Sequence, residues 1–574
     1  METHEHDVLV IGAGGSGLRA AIESAEAGAR TAVVSKSLLG KAHTVMAEGG
    51  VAAALGNVDQ EDRWETHFQD TLFAGKYLNN WRMAELHAKE APERVRELER
   101  WGGVFDRTPS GAMSQRAFGG HTYRRLVHIG DRTGLELLRT LQDRCVHQDV
   151  DVFMECTITH LLRSGERVCG AFGYWRASGE FVVFRARSVV LATGGLGRIY
   201  PVTSNSWECT GDGLALALEA GAELIDMEFV QFHPTGMVWP PGVAGLLVTE
   251  AVRGEGGILT NANGERFMAR YDPKRMELST RDVVARAIFT EAREGRGGPH
   301  GGVFLDVSHL PPETVKRRLP GMYNQFLELA GVDITKEPME IAPTCHYMMG
   351  GIRVEAETGA TGVPGLYAVG ECAGGMNGAT RLGGNSLSDL LVFGRRAGAA
   401  AAEAARSVPL EPVDPAEVAA AEAELLAFLE GGGDEDPYAL HADLRRTMAT
   451  HVGLFRDETG LRTALAEIDE LKRRARRLRV PVPERRYNPG WHLCADVRNM
   501  LVCAEAITRC ALERTESRGA HARLDFPELS EAWGSCNLAV SRRDGELSVE
   551  RRPVVAPDEL EPLVAARKEE EASR

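Results

Sequence analysis

The sequence predicts an α/β fold. A Rossmann-like dinucleotide-binding domain comes first, then a helical region and a small C-terminal region. Three observations predict it. A strand, a glycine-rich turn and a helix open the chain. Two later apolar strands, each running into glycine, return to the same sheet. Past Ala404 the βα alternation gives way to a helical pattern.

Asp7-Val8-Leu9-Val10-Ile11 is a short apolar run of the kind buried in a parallel sheet. A helix follows from about Gly15 to Ala27, with Gly28 placed to end it, and Thr31–Ser35 is the second strand. Ser188–Ala192 runs into Thr193-Gly194-Gly195, and Gly365–Glu371 ends in glycine and a carboxylate. The dinucleotide domain is thus discontinuous, with an insertion between about Val230 and Ala342. The prolines at 409, 412 and 415 mark a linker. Residues 416–514 are helical with a break at Gly431-Gly432-Gly433, and the charged end from Arg567 is expected to be disordered. This divides the chain into 1–230, 231–342, 343–405, 416–514 and 515–574.

Gly12-Ala13-Gly14-Gly15-Ser16-Gly17 matches GxGxxG in its full setting, between strand and helix. Gly12 permits the tight turn, Gly14 lets the backbone approach a pyrophosphate, and Gly17 lets helix and strand pack closely. The helix N-terminus offers N–H groups and a positive dipole end. The acid that normally follows the second strand is missing, and Ser35-Lys36 stand there. An ordinary NAD site is therefore disfavoured. Glu371 and Asp212 are alternative ribose ligands, each with a loop or capping role as the bland alternative.

The chain has 574 residues and a formal net charge of −16, which argues against general nucleic-acid binding. No run approaches the ~18 apolar residues of a membrane span. The polar start lacks the basic and apolar regions of a secretory signal. A cytoplasmic chain, docked at the membrane through a partner, is expected. The ten cysteines form no Cys-x-x-Cys pair and fit no zinc or iron–sulfur frame, so free thiols and no metal site are expected.

Ala42-His43-Thr44, followed by Gly49-Gly50, suggests a flavin bonded covalently to histidine. Further segments accompany it: Phe118-Gly119-Gly120, Gln231-Phe232-His233-Pro234-Thr235-Gly236, Thr249-Glu250-Ala251-Val252-Arg253, Arg281-Asp282, Thr344-Cys345-His346-Tyr347, Arg381-Leu382-Gly383-Gly384-Asn385-Ser386-Leu387 and Arg514–His521. Through these, about residues 6–550 resemble the flavoprotein subunits of succinate dehydrogenase and fumarate reductase, nearest to an actinobacterial-type subgroup.

The resemblance implies a FAD-binding domain with an inserted α+β capping domain. It implies FAD bound covalently through His43, which raises the flavin's potential. Gly12, Ala13, Gly14, Gly15, Ser16, Gly17, Ser35, Lys36, Thr44, Gly49, Gly50, Thr193, Gly194, Asp212, Glu371, Ser386 and Leu387 would complete the cofactor site. A dicarboxylate such as succinate needs both anionic ends held, and arginine's planar fork suits that task. Arg381 and His346 would hold one end, Thr249 and His233 the other, and Phe118 would cover the reacting carbon. Arg281 would move the proton, relayed by Glu250 and Arg253. A structural ion pair is the bland alternative for these three.

Some positions depart from the family. His121 and Arg124 follow Phe118-Gly119-Gly120 and leave open whether either touches substrate. Ala251-Val252 replaces a cysteine found in some relatives, and Asn377 replaces a common histidine. The basic run 471–479 reads as a solvated helix face or a partner contact. Lacking cluster ligands, the chain is expected to pass electrons to an iron–sulfur subunit, with membrane-anchor cytochrome b subunits completing a succinate:quinone oxidoreductase on the cytoplasmic face of the membrane. Fumarate reductase is the same site run in reverse. L-aspartate oxidase, a soluble relative with noncovalent FAD, is the more distant alternative.

Overall fold

The computed structural model describes the backbone of residues 1–573 and the side chains of residues 1–569. The chain opens on β1 (Glu2–Ile11), α1 (Gly15–Glu26) and β2 (Thr31–Val34). β1 begins five residues before the apolar run, because Glu2–His6 pair in parallel with Val182–Ala186. Gly12 has φ +115°, and a Cβ there would lie 2.2 Å from the Ala192 carbonyl oxygen. A Cβ on Gly17 would lie 1.9 Å from the Gly12 oxygen. These two glycines let the turn close and α1 settle on the sheet. Gly28, with φ +84°, follows the last turn of α1.

Helices α2 (Trp64–Ala74) and α3 (Trp81–Arg100) come next. The sheet is then completed by β3 (Asp151–Phe153), β4 (Cys156–Ser164), β5 (Arg167–Trp175) and β6 (Phe181–Leu191). Its order is β3-β2-β1-β6-β5-β4. The first four strands are parallel and the β4–β5 hairpin antiparallel.

The insertion is a four-stranded antiparallel sheet made of β7 (Val230–Met237), β8 (Ile258–Thr260), β9 (Val303–Asp306) and β10 (Met339–Met348), in the order β7-β10-β9-β8. It reaches past Ala342, because β10 pairs with β7 along most of its length. Helix α4 (Arg281–Glu291) packs on β7. The chain then returns to the first sheet. β11 (Leu366–Ala368) pairs in parallel with Val189–Leu191, and α5 (Asn385–Arg406) lies against α1.

Four helices follow: α6 (Pro415–Glu430), α7 (Pro437–His451), α8 (Glu458–Ala475) and α9 (Pro489–Glu513). The basic run at the end of α8 is largely matched within the chain. Lys472 pairs with Glu505, Arg473 with Glu470, Arg474 with Glu435 and Asp443, and Arg477 with Asp434. β12 (Cys536–Arg543) and β13 (Glu546–Pro553) form a hairpin that pairs with Leu224–Ile225 and so ties the C-terminal region to the first domain.

Of the segment from Arg567 expected to be disordered, the backbone is described to Ser573, and Arg574 lies outside the described residues. α10 (Glu561–Ser573) is helical, buries Val564, and sends Arg567 to within 3.2 Å of the buried Asp70 carboxylate. Packing of Leu560, Val564 and Arg567 on one face outweighs the charged composition. All ten cysteines are free, nine of them buried. No helix among the described residues is long and apolar enough to cross a membrane. No group of three His, Cys, Asp or Glu among them is arranged to hold a metal ion.

Candidate active site

One cavity runs between the first sheet and the inserted sheet. Gly12, Ala13, Gly14 and Ser16 line it from the end of β1 and the start of α1. Ser35, Lys36, His43, Thr44, Gly49, Gly50, Thr193, Gly194, Asp212, Glu371, Ser386 and Leu387 extend that wall. Gly15 and Gly17 stand behind the surface: a Cβ on Gly15 would meet Leu390 at 2.5 Å. The residue before each of α1 and α5 is a glycine with no side chain to cap the helix, although Thr44 Oγ1 accepts from the Gly15 N–H at 3.1 Å, and both ends face this cavity. Two helix N-termini aimed into one space fit a dinucleotide with a pyrophosphate and an electron-poor ring.

His43 opens a short helical turn, His43–Met46. Its Nδ1 accepts from the Ser206 N–H at 3.3 Å, and Nε2 lies 3.5 Å from the Asn205 amide nitrogen. Burial pushes the imidazole down to about 4, so it is neutral at neutral pH. Lys36 spends its three N–H donors within the protein, on Thr210 (3.0 Å), Asp212 (2.9 Å) and Asp496 (2.6 Å). Asp212 also accepts from Thr210 and Asn499. Both still line the cavity, but as one buried ion cluster. Glu371 accepts from the Met348 N–H at 3.0 Å, and burial raises its carboxyl to about 7.

At the far end of the cavity two guanidinium groups converge. Arg281, first residue of α4, donates from Nε to Glu250 Oε2 (2.8 Å) and from Nη1 to Gln231 Oε1 (3.2 Å). Arg381 donates from Nη2 to the same Gln231 oxygen (3.2 Å) and from Nη1 to Ser386 Oγ (2.9 Å), with its guanidinium 4.1 Å above the Tyr347 ring. Arg381 is 3% exposed, and no carboxylate among the described residues pairs with it. Burial first, then Arg281, lowers its affinity for the proton to about 10. An unpaired buried cation facing a cavity calls for an anionic ligand.

Around them stand Phe118, His233, Thr249 and His346. The two histidine rings meet edge to face at 5.1 Å. His346 Nδ1 lies 2.8 Å from Ser204 Oγ, and His233 Nδ1 rests on the Thr235 backbone. Burial, reinforced by the nearby cations, holds both well below the usual histidine range, so both are neutral. Burial raises the Glu250 carboxyl, but Arg281 and Arg253 outweigh it and the net effect is a lowered, ionised group. Glu250 also accepts from the Gly119 N–H at 2.7 Å. Arg253 is fully buried, with Nη2 3.6 Å from Glu250 and Nη1 donating to the Glu277 carbonyl at 2.6 Å.

Arg124 is at the surface, donating from its backbone N–H to Asp59 at 2.7 Å, and His121 lies behind Gly383; neither lines the cavity. Asn377 reaches the Tyr347 hydroxyl at 3.5 Å.

Two further residues belong to the site although sequence reasoning gives neither a role. Gln231, two residues before His233 on one strand, joins the two arginines. Glu48 lines the cavity, and burial with the nearby Asp131 raises its carboxyl well above the usual range; its Oε2 has no hydrogen-bond partner among the described residues. A charged residue next to paired glycines is the signal available for Glu48.

The family described as "FAD binding domain" matches residues 7–387, and "Fumarate reductase flavoprotein C-term" matches residues 441–566. The chain is 49% identical over 533 residues to a fumarate reductase (CoM/CoB) polypeptide of Methanothermobacter marburgensis, covering 93% of this chain and 96% of that one. It is 40% identical over 575 residues to a succinate dehydrogenase flavoprotein subunit of Rickettsia bellii, covering 96% and 95%. Among solved structures, Mycobacterium smegmatis Sdh1 in complex with UQ1 superposes with a TM-score of 0.89 at 54% identity, covering 99% and 98%. A glycine-cradled dinucleotide cavity, two convergent arginines and this extent of similarity place the chain in the family of flavoprotein subunits of succinate dehydrogenases and fumarate reductases.

Proposed function

We propose that the chain is the catalytic flavoprotein subunit of a succinate:quinone oxidoreductase, converting succinate to fumarate. The observation that carries the reading is the buried, carboxylate-free guanidinium of Arg381 beside Arg281, in the cavity shared with two helix N-termini. Arg381 and His346 hold one carboxylate of the dianion; Thr249 and His233 hold the other by neutral donors. Phe118 covers the carbon between them and excludes water.

Bound FAD supplies the two-electron acceptor. Arg281 takes the proton from the adjacent carbon on a terminal nitrogen while its Nε–H passes to Glu250 Oε2. The guanidinium gains one proton as it gives up another and so never persists in neutral form. Arg253, with Nη2 3.6 Å from Glu250, takes on the proton that Glu250 received as it gives up one of its own and returns Glu250 to its carboxylate. Residues 231–342 close over 1–230 and 343–405 to bring Arg281 to the substrate.

His43 fits the covalent attachment point. With Nδ1 accepting from Ser206, Nε2 is the nitrogen left to bond the flavin. Electrons leave through a separate iron–sulfur subunit, with membrane-anchor cytochrome b subunits holding the assembly peripherally at the cytoplasmic face; the M. smegmatis relative bound to UQ1 supports quinone as the acceptor. Fumarate reduction by the same residues is the second reading, favoured by the methanogen relative named a fumarate reductase.

The purified chain should keep its flavin through acid denaturation, with the His43 peptide heavier by the mass of FAD. It should reduce an artificial dye with succinate, but not quinone without its partner. Flavin released by acid would refute the tether, succinate-independent behaviour the activity, and efficient quinone reduction by the isolated chain the need for a partner.

A further inference from the structure

Three histidines from three separate segments, His67 and His87 buried and His121 half-buried, converge on one stretch of chain. His67 lies on α2, His87 on α3, and His121 in the loop after Phe118. His121 Nε2 is 2.8 Å from the Gly383 carbonyl oxygen. His67 Nε2 is 2.9 Å from Asn385 Oδ1, and His87 Nε2 is 2.8 Å from Ser388 Oγ. The Nδ1 atoms of all three have no hydrogen-bond partner among the described residues.

The partners settle who donates. Gly383 offers only a carbonyl. The Asn385 amide N–H₂ donates to Thr71 Oγ1 at 3.0 Å, leaving Oδ1 to accept from His67. The Ser388 hydroxyl has backbone acceptors in Gly384 (3.3 Å) and Asn385 (3.2 Å), leaving its oxygen to accept from His87. Each ring is thus a neutral Nε2–H donor. Burial pushes His121 to about 4, His87 to about 3 and His67 well below the usual range. Arg125, paired with Asp62 at 2.8 Å and Asp70 at 3.0 Å, lowers His67 and His121 further, against smaller opposing effects of Asp70 and Glu250 on His121. The loop bearing His121 is itself fixed, since Thr122 donates from N (2.8 Å) and Oγ1 (2.7 Å) to Asp70.

The gripped stretch, Gly383–Ser388, joins Arg381 to the uncapped start of α5, whose Ser386 and Leu387 line the cavity. Gly383 is also the wall behind the reacting groups. A Cβ there would lie 2.4 Å from the Phe118 ring and 3.0 Å from Arg281 Nη2. Movement of this carbonyl displaces Arg381, two residues away, and loosens its neighbours.

We infer that His121, seconded by His67 and His87, is a positioning residue that sets Arg381 for dicarboxylate binding. This rests on Arg381 being the carboxylate clamp proposed above.

The test uses the full flavin-loaded chain with malonate, a non-reacting dianion, as probe. His121→Leu keeps bulk and loses the donor; His121→Gln keeps an N–H. One lost hydrogen bond near a clamp predicts about a tenfold rise in malonate Kd and succinate KM for His121→Leu, with kcat falling less than about threefold. His121→Gln should restore both to within about twofold. An unchanged malonate Kd in His121→Leu, a loss confined to kcat, or no rescue by Gln would overturn the inference. Should the Leu variant fail to take up flavin, His121→Asn, too short to reach Gly383 yet polar, is read by the same criteria. If the parent chain neither binds malonate nor oxidises succinate, the dicarboxylate reading fails and this inference with it. If the parent does both and the variants match it, the positioning role alone fails.

Discussion

Each buried charge of this site is answered in one of two ways. Lys36 has its answer inside the protein: two carboxylates and a hydroxyl take its three donors. Arg381 has none among the described carboxylates and waits on a ligand. The difference separates structure from function. Lys36→Met should leave Asp212 and Asp496 buried without their cation and cost about 3–5 kcal/mol of stability, read by denaturant unfolding. A loss below about 1 kcal/mol would mean that solvent reaches the cluster. His43 before paired glycines stands out in the sequence by its own setting, whereas Arg281 and Arg381 are picked out only through the family resemblance. Lys36 is legible as a lining residue but not as a cluster member, because Asp496 arrives from a distant helix. Gln231 is hidden in its segment, because an amide shows its purpose only when two guanidinium groups close on it.

At the scale of elements, periodicity locates the strands and helices of the dinucleotide unit and errs at their ends. β1 runs back to Glu2 because its partner strand continues there, a fact no local pattern carries. The basic run of α8 has the composition of a partner surface, yet its cations meet acids from α7, α9 and the loop before α7. Charge composition likewise hides α10. Leu560 and Val564 pack into a cluster with Phe68, Leu72 and Trp81, and Arg567 reaches Asp70. Burying each aliphatic side chain contributes about 1.5–3 kcal/mol. Deleting residues 560–574 should therefore lower the melting temperature by several degrees in a thermal scan. A truncated chain melting with the parent would show that α10 is not docked in solution.

At the scale of the whole molecule, the site belongs to no single domain. Gly12 follows β1 and His43 opens the short turn after β2, Gln231, Glu250 and Arg281 come from the insertion, and Arg381 from the return segment leading into α5. The βαβ opening and the insertion can be read in order along the chain, but their convergence is a property of the fold. That is why the resemblance to a family reaches further than the local patterns do. It is also why a single substitution can separate redox capacity from turnover. Proton transfer by Arg281 is the claim on which the proposed chemistry turns, and its direct measurement is succinate-dependent dye reduction by Arg281→Lys with its flavin in place. A positioned acid–base group contributes about 10²–10⁴ in rate, so kcat should fall at least about a hundredfold while malonate still binds. Turnover at the parent rate would contradict that role.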